Sequence, residues 1–263
     1  MKSPKISIVS PSFNQGQFIE DAILSVLNQQ YENFEHIIID GGSTDNTIDI
    51  LMKYPHLIWI SEKDEGQSDA INKGFNRATG DIIGWLNTDD YYLEGSFRKI
   101  AENFKLYECD IVYGDVQFVD KNKKFTRKGM SRIPIKWLIF FHCYIHSAAF
   151  FFKREVLDKG IRIDPKIHIT MDKDFFANIF YTGFKFKYIH ETLTSFRWHE
   201  NNKSLDTKEV RDVINNEGIL ILNKYSTFEI PNNFLTIKLY AIIWNALLPY
   251  KRILKWYSLY KTK

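Results

Sequence analysis

Four short apolar runs, Ile6–Ser10, His36–Asp40, Leu57–Ser61 and Ile82–Leu86, recur through the first third of the chain. The first, second and fourth are rich in β-branched residues, and all are short enough to be buried strands. Between them apolar positions recur at helical spacing: Phe18, Ala22, Ile23, Val26 and Leu27, then Ile48, Ile50 and Leu51, then Ala70, Ile71, Gly74 and Phe75. Strands alternating with helices at this rhythm predict a mostly parallel central sheet covered on both faces, an α/β fold. Beyond residue 110 the rhythm changes. Ile111–Tyr113, Val116–Val119 and Ala148–Phe152 read as further strands, Asp172–Tyr181 and Glu209–Leu222 as helices. The basic, polar, Gly-containing stretch Asn122–Arg132 reads as a mobile loop.

With 263 residues, 44 % of them hydrophobic, the chain can bury a large α/β core plus an extension. A net charge of only +3 argues against general nucleic-acid binding. Cys109 and Cys143 lack metal-site or redox spacing, and the N-terminus runs directly into the Ile6–Val9 strand rather than a signal, so both cysteines read as free cytosolic thiols. No apolar segment reaches the roughly 20 residues of a spanning helix. The uncharged stretch Trp137–Phe152 comes nearest; His142, His146 and Ser147 interrupt it, and it reads as core.

The chemistry-bearing residues sit just past the strand ends. The first strand leads into Ser10-Pro11-Ser12-Phe13-Asn14-Gln15-Gly16, whose small and turn-forming residues leave backbone N–H groups for a ligand ahead of a helix. The second ends in Asp40-Gly41-Gly42-Ser43-Thr44-Asp45, where glycines permit close backbone approach, Asp40 offers a carboxylate and Thr44 or Asp45 can cap the next helix. After the third comes Glu62–Asp69, and after the fourth the adjacent pair Asp89-Asp90. Two neighbouring carboxylates repel unless a cation or donor lies between them, and a hard divalent metal shared with a phosphate is the simplest occupant.

This ordered series resembles the family-2 glycosyltransferases, nucleotide-sugar enzymes of the GT-A fold. The likeness spans about residues 5–200, through Ser10-Pro11-Ser12-Phe13-Asn14, Asp40–Asp45, Gly66-Gln67-Ser68-Asp69-Ala70-Ile71-Asn72-Lys73-Gly74 and Trp85–Asp90. It implies a GT-A catalytic domain over residues 1–205 and a C-terminal helical extension over 206–263. It also implies that Pro11, Ser12 and Asn14 line the nucleotide and that Asp40 accepts a hydrogen bond from the base, an N3–H of uracil. Gln67, Asp69 and Lys73 would flank the donor, and Asp89 would approach the ribose or donor sugar. Asp90 would ligate Mg²⁺ or Mn²⁺ as the last acid of an Asp-X-Asp element whose first position here is Asn87 or Thr88. In Phe196-Arg197-Trp198-His199, similar to the family's late Arg-X-X-His element, Arg197 would hold a phosphate and His199 would reach the metal or diphosphate. His146 falls where the family often has a polar acceptor-site residue.

Transfer also needs a base for the acceptor hydroxyl. The candidates are Asp172 and Asp174, which cannot share a helix face; the likeness favours Asp172, although Met171 stands where the family often has Glu. The resulting expectation is metal-dependent, inverting transfer from a nucleotide-diphosphate sugar to a glycan or lipid-linked acceptor in surface polysaccharide synthesis, in the cytoplasm. Two rivals are a sugar-phosphate nucleotidyltransferase and a catalytically inactive nucleotide-sugar-binding module. The first would need a basic loop after the first strand, and Ser10–Gly16 holds no Lys or Arg; the second would be expected to lose Asp90 or the Asp172 region. Residues 232–263 contain no acid and interleave basic residues with Trp, Tyr and Phe. That composition suits either a peripheral anchor on the inner face of the cell membrane or a helix packed on the catalytic domain.

Overall fold

The computed structural model describes residues 3–135, 138–141, 143–205 and 207–226, and beyond them residues 231, 233, 235, 236, 238, 239, 242 and 243. The strands are β1 (Ile6–Ser12), β2 (Phe34–Asp40), β3 (Leu57–Ser61), β4 (Ile82–Trp85), β5 (Tyr91–Tyr92), β6 (Ile111–Asp120), β7 (Phe125–Gly129), β8 (Phe150–Lys153) and β9 (Phe186–Trp198). The helices are α1 (Ile19–Leu27), α2 (Thr47–Leu51), α3 (Gln67–Arg77), α4 (Ser96–Leu106), α5 (Glu155–Asp158), α6 (Met171–Thr182) and α7 (Lys208–Tyr225). The strands form one sheet in the order β3-β2-β1-β4-β8-β6-β9-β5, with β7 paired to β6.

The run β3-β2-β1-β4 is parallel throughout. Antiparallel β8 then joins β4 to β6, and β6 and β9 are parallel again. Strands β1 and β4 are buried along their whole length, which is why they read as continuous apolar runs rather than alternating ones. Helix α3 lies close against β1 because Gly74 has no side chain: a Cβ there would come within 2.2 Å of Val9 Cγ1. Parallel strands direct the loops after β1, β2, β3 and β4 to one edge, where α/β sheets bind ligands.

Several expectations are corrected. Asn122–Arg132 is not a free loop: Phe125–Gly129 pairs antiparallel with β6 at Val116–Val119, along the edge that β8 occupies only at Ile111–Tyr113. Its exposed Arg127 and Lys128 suit an outer strand, where charge discourages pairing with another chain. The two short strands expected around Gly114 are one strand, β6, whose register against β9 shifts at Gly114–Val116. Strand β9 and helix α4 were not anticipated. In the stretch from Trp137 to Phe152, Leu138, Ile139, Phe140, Tyr144 and Ile145 are buried in the core, while positions 137 and 142 lie outside the described residues.

Within 206–263, helix α7 begins at Thr207, whose Oγ1 accepts the Val210 N–H. Ile221 of α7 is buried in the same apolar cluster as Phe175 and Phe176 of α6, with Leu222 and Tyr225 packed against it. The expected boundary after residue 205 therefore runs between elements that share one core. The tail residues Phe234, Tyr240, Trp244, Tyr250, Lys251, Arg252, Lys255, Trp256, Tyr257, Tyr260, Lys261 and Lys263 lie outside the described residues. No described helix is long and apolar enough to cross a membrane.

Candidate active site

The strand-end loops enclose a cleft of about 780 Å³. Pro11, Ser12 and Phe13 line it from β1, Gly41 and Gly42 from β2, and Lys63 and Asp64 from β3. Gln67 of α3, Asp89 after β4, Asp172 of α6 and Lys203 after β9 complete its polar walls. The chain thus brings Pro11, Ser12, Gln67, Asp89 and Asp172 together, as the sequence leads one to expect. The other expected residues lie around the cleft rather than in its lining.

Asp40 is fully buried, and its carboxylate is already satisfied. It accepts the N–H of Gly42 at 3.1 Å, the N–H of Ser43 at 2.8 Å, and the hydroxyls of Ser43 and Ser61 at 2.5 and 2.7 Å. In this arrangement it shapes the glycine loop instead of meeting a base. Asn14, with φ of 52°, likewise ties loops together, accepting the Thr44 N–H at 2.8 Å through its side-chain oxygen. Asp45 rather than Thr44 receives the start of α2, through the Thr47 N–H at 3.0 Å. Lys73 is engaged by Glu62 at 2.9 Å and Asp69 at 3.1 Å, contacts that raise its pKa, and neither Asp69 nor Lys73 belongs to the cleft lining.

Asp90 is sealed behind Asp89. Its Oδ1 accepts the Arg197 N–H at 2.9 Å, while its buried Oδ2 has no partner among the described residues. Burial, then the charge of Asp89, pushes its carboxyl well above the usual range. Arg197 is also turned away: its guanidinium pairs with Asp21 at 2.7 Å and lies 4.7 Å from the Phe18 ring centroid. Neither residue is placed for the ligand contact its position suggested.

Asp89 and His199 do meet. His199 Nε2 is 3.1 Å from Asp89 Oδ2, and His199 Nδ1 accepts the Asn201 N–H at 3.2 Å. With Nδ1 accepting, the ring proton belongs on Nε2, which donates it to Asp89. Among the described residues, no group of three or more His, Cys, Asp or Glu is arranged to hold a metal. The Asp89 carboxylate fits an ion that takes its remaining ligands from diphosphate and water, as Mg²⁺ and Mn²⁺ do, whereas His199 in this arrangement offers that ion no free ring lone pair and steadies Asp89 instead.

On α6 the two candidate bases separate cleanly. Asp172 lines the cleft; Asp174 faces α7, where Lys224 donates to it at 2.8 Å. Burial raises the Asp172 pKa, the N–H and charge of Lys173 oppose that rise, and Glu217 adds to it. The Cys143 thiol sits 3.9 Å from Asp172 Oδ2, and burial pushes its own pKa well up. Burial likewise holds His146 down at about 4, a neutral ring beside Phe118.

Phe13, Lys203 and Asp64 also line the cleft, with no role assigned to them from the sequence. Phe13 holds an aromatic side chain 58 % exposed at the cleft. Lys203 reaches to 3.4 Å from Gln67 Oε1. Asp64 accepts the Gly66 N–H at 2.8 Å through Oδ1, leaving Oδ2 without a hydrogen bond among the described residues. A Cβ on Gly41 would come within 2.7 Å of that oxygen, so the glycine makes room for it. In sequence, Asp64 is one acid among several in Glu62–Asp69 and carries no distinguishing signal.

Comparison with known proteins shows which family and fold the chain shares. The family described as Glycosyl transferase family 2 matches residues 7–180. An uncharacterized glycosyltransferase of Nostoc is 29 % identical over 246 residues, 84 % of this chain and 74 % of the relative. A PGL/p-HBAD biosynthesis glycosyltransferase of Mycobacterium bovis is 28 % identical over 204 residues, 74 % of this chain and 78 % of the relative. Among solved structures, S. aureus TarS 1-349 in complex with UDP-GlcNAc superposes with a TM-score of 0.68 at 16 % identity, covering 86 % of this chain and 68 % of that one. The mannosyltransferase PcManGT from Pyrobaculum calidifontis, in complex with GDP-Man and Mn²⁺, gives 0.63 at 15 % identity over 90 % and 69 %.

Proposed function

Because the chain belongs to glycosyl transferase family 2, we propose that it moves a sugar from a nucleotide-diphosphate donor, UDP-linked, to a glycan or lipid-linked acceptor with inversion at the anomeric carbon. One observation carries this reading: Asp89 and Asp172 stand on the walls of one cleft that also holds the glycine loop after β2. The UDP-GlcNAc bound to TarS supports the choice of nucleotide. The Mn²⁺ and GDP-mannose of PcManGT support a divalent ion, with GDP as the competing nucleotide.

In this proposal Phe13 offers a stacking face to the base, and Asp64 Oδ2 takes the ring N–H first assigned to Asp40. Gln67 and Lys203 border the sugar and diphosphate. Asp89 would hold the metal, with His199 steadying its carboxylate and Asp90 behind them keeping the Asp89 loop fixed to β9. The ion, when bound, neutralises charge developing on the departing diphosphate. Asp172 accepts the proton of the acceptor hydroxyl as its oxygen bonds to the anomeric carbon, and the carbon–oxygen bond to the diphosphate breaks on the opposite face. Burial makes Asp172 a stronger base than a free carboxylate. The tail after residue 232 supplies the contact with an anionic membrane surface on the cytoplasmic side, where a lipid-linked acceptor would be met.

Thermal shift tests the reading. UDP-GlcNAc with Mn²⁺ or Mg²⁺ should raise the melting temperature, since a ligand at 100 times its Kd adds about 2.7 kcal/mol to the native state. A chelator should abolish most of the rise. If neither UDP-GlcNAc nor GDP-mannose shifts the transition with either ion, the nucleotide-sugar reading fails.

A further inference from the structure

The cleft wall that carries Asp172 is not held by its own helix alone. Three consecutive N–H groups, from His168, Ile169 and Thr170, converge on the carboxylate of Glu217, nearly fifty residues later on α7. The His168 N–H lies 2.6 Å from Oε1, the Thr170 N–H 2.8 Å from Oε2, and the Ile169 N–H 3.2 and 3.1 Å from the two oxygens. The Thr170 hydroxyl adds a fifth contact at 2.8 Å. Glu217 is 4 % exposed, and every hydrogen bond its carboxyl oxygens make here comes from a donor in this segment.

These donors are the residues that deliver the chain into α6. Ile169, Met171 and Asp172 all line the cleft, so the gripped segment is the wall itself. A carboxylate set against three successive N–H groups just ahead of a helix fixes both the path of the backbone and the direction in which the first helical residues project. Two turns further along α7, Lys224 holds Asp174 and, at 2.6 Å, Asp164. The loop and the first turn of α6 are thus clamped from one neighbouring helix.

We propose that Glu217 is a positioning residue for Asp172: by gripping the backbone at 168–170 it sets where the base stands in the cleft, which makes α7 part of the active machinery. The inference rests on the role given to Asp172 above. It separates from mere capping of a helix by what should change when it is lost. The charged groups facing Asp172 besides Glu217 are Lys173 on α6 and Lys203 after β9, with the Cys143 thiol beside them. None of these reaches the 168–170 backbone through a contact the structure records.

The test uses the full chain with Glu217→Gln and Glu217→Ala. Glutamine keeps the shape but turns an NH₂ group toward backbone donors, so half the grip is lost without a cavity. The readouts are the UDP Kd, UDP release from UDP-GlcNAc in Mn²⁺ with water as acceptor, and amide exchange at 168–170. UDP Kd should stay within about twofold, because the donor walls come from other elements. UDP release per UDP-binding site should fall at least about tenfold at saturating donor, and the three amides should exchange at least about tenfold faster. Unchanged release per binding site, or release and UDP binding falling in the same proportion, would overturn the proposal. So would unchanged amide exchange in Glu217→Gln. A wild-type chain that neither binds UDP nor releases it ends the donor reading instead, and the exchange measurement then decides alone whether Glu217 holds this wall.

Discussion

Asp172 and Asp174 stand two residues apart on α6 in opposite settings, and substitution should separate them. Asp172→Asn removes the proposed base and should lower turnover at least about a hundredfold, with the UDP Kd and melting temperature little changed. Asp174→Asn, buried against Lys224, should instead cost about 1–3 kcal/mol of stability in denaturant unfolding while much of the turnover survives. The pH profile gives a third check. Burial raises the Asp172 pKa, and a base must be unprotonated to act, so turnover should fall as pH drops through a midpoint above the ordinary value of about 3.9. If the acid limb of kcat lies at or below that value, Asp172 is not the base. At the other end of the cleft, Asp64→Ala should weaken UDP at least about tenfold in calorimetry, the worth of one charge-assisted hydrogen bond. It should leave inorganic pyrophosphate binding alone, and equal losses for both ligands would rule out base recognition by Asp64.

Among the elements, the contact of α3 with β1 sets two effects against each other. Alanine at Gly74 gains about 1 kcal/mol of helix propensity. Its methyl, however, would press on Val9 Cγ1, and overpacking of a full core costs about 1–3 kcal/mol. Gly74→Ala should therefore be net destabilising, and a raised denaturation midpoint would show that the helix can move off the sheet. The same close packing explains what could be read from sequence. β1, β2 and β4 are buried on both faces, so Ile6–Ser10, His36–Asp40 and Ile82–Leu86 announce themselves as unbroken apolar runs. β9 was hidden because half-buried Lys187 and exposed His190 and Glu191 break the run. β7 was hidden because its exposed residues are those of a loop. At the site, the loops could be located but not the direction of each side chain. Asp40 and Asp90 look like ligand-facing acids, yet Ser43 and Ser61 claim both oxygens of Asp40 and the Arg197 N–H claims Oδ1 of Asp90. Asp89 and His199 are far apart in the chain, and only the crossing of β9 past the loop after β4 brings them within 3.1 Å.

For the molecule as a whole, where the chain is cut should matter more than how much is removed. Ending it at residue 205 would strip away α7, uncover apolar surface around Phe175 and Phe176, and take Glu217 and Lys224 with it. Ending it at residue 231 keeps that helix. The longer product should retain UDP-induced thermal stabilisation and lose sedimentation with phosphatidylglycerol vesicles, while the shorter one should aggregate or melt early. Unaltered vesicle binding without residues 232–263 would move the membrane contact elsewhere. One last consequence concerns Cys143, whose sulfur lies beside the Asp172 carboxylate with its ionisation suppressed by burial. A thiol kept protonated in this way is a poor target for alkylating reagents until the surrounding wall breathes. The rate at which iodoacetamide consumes it is therefore a native clock for excursions of the catalytic wall, and a saturating donor that stills those excursions should slow the clock without touching the sulfur.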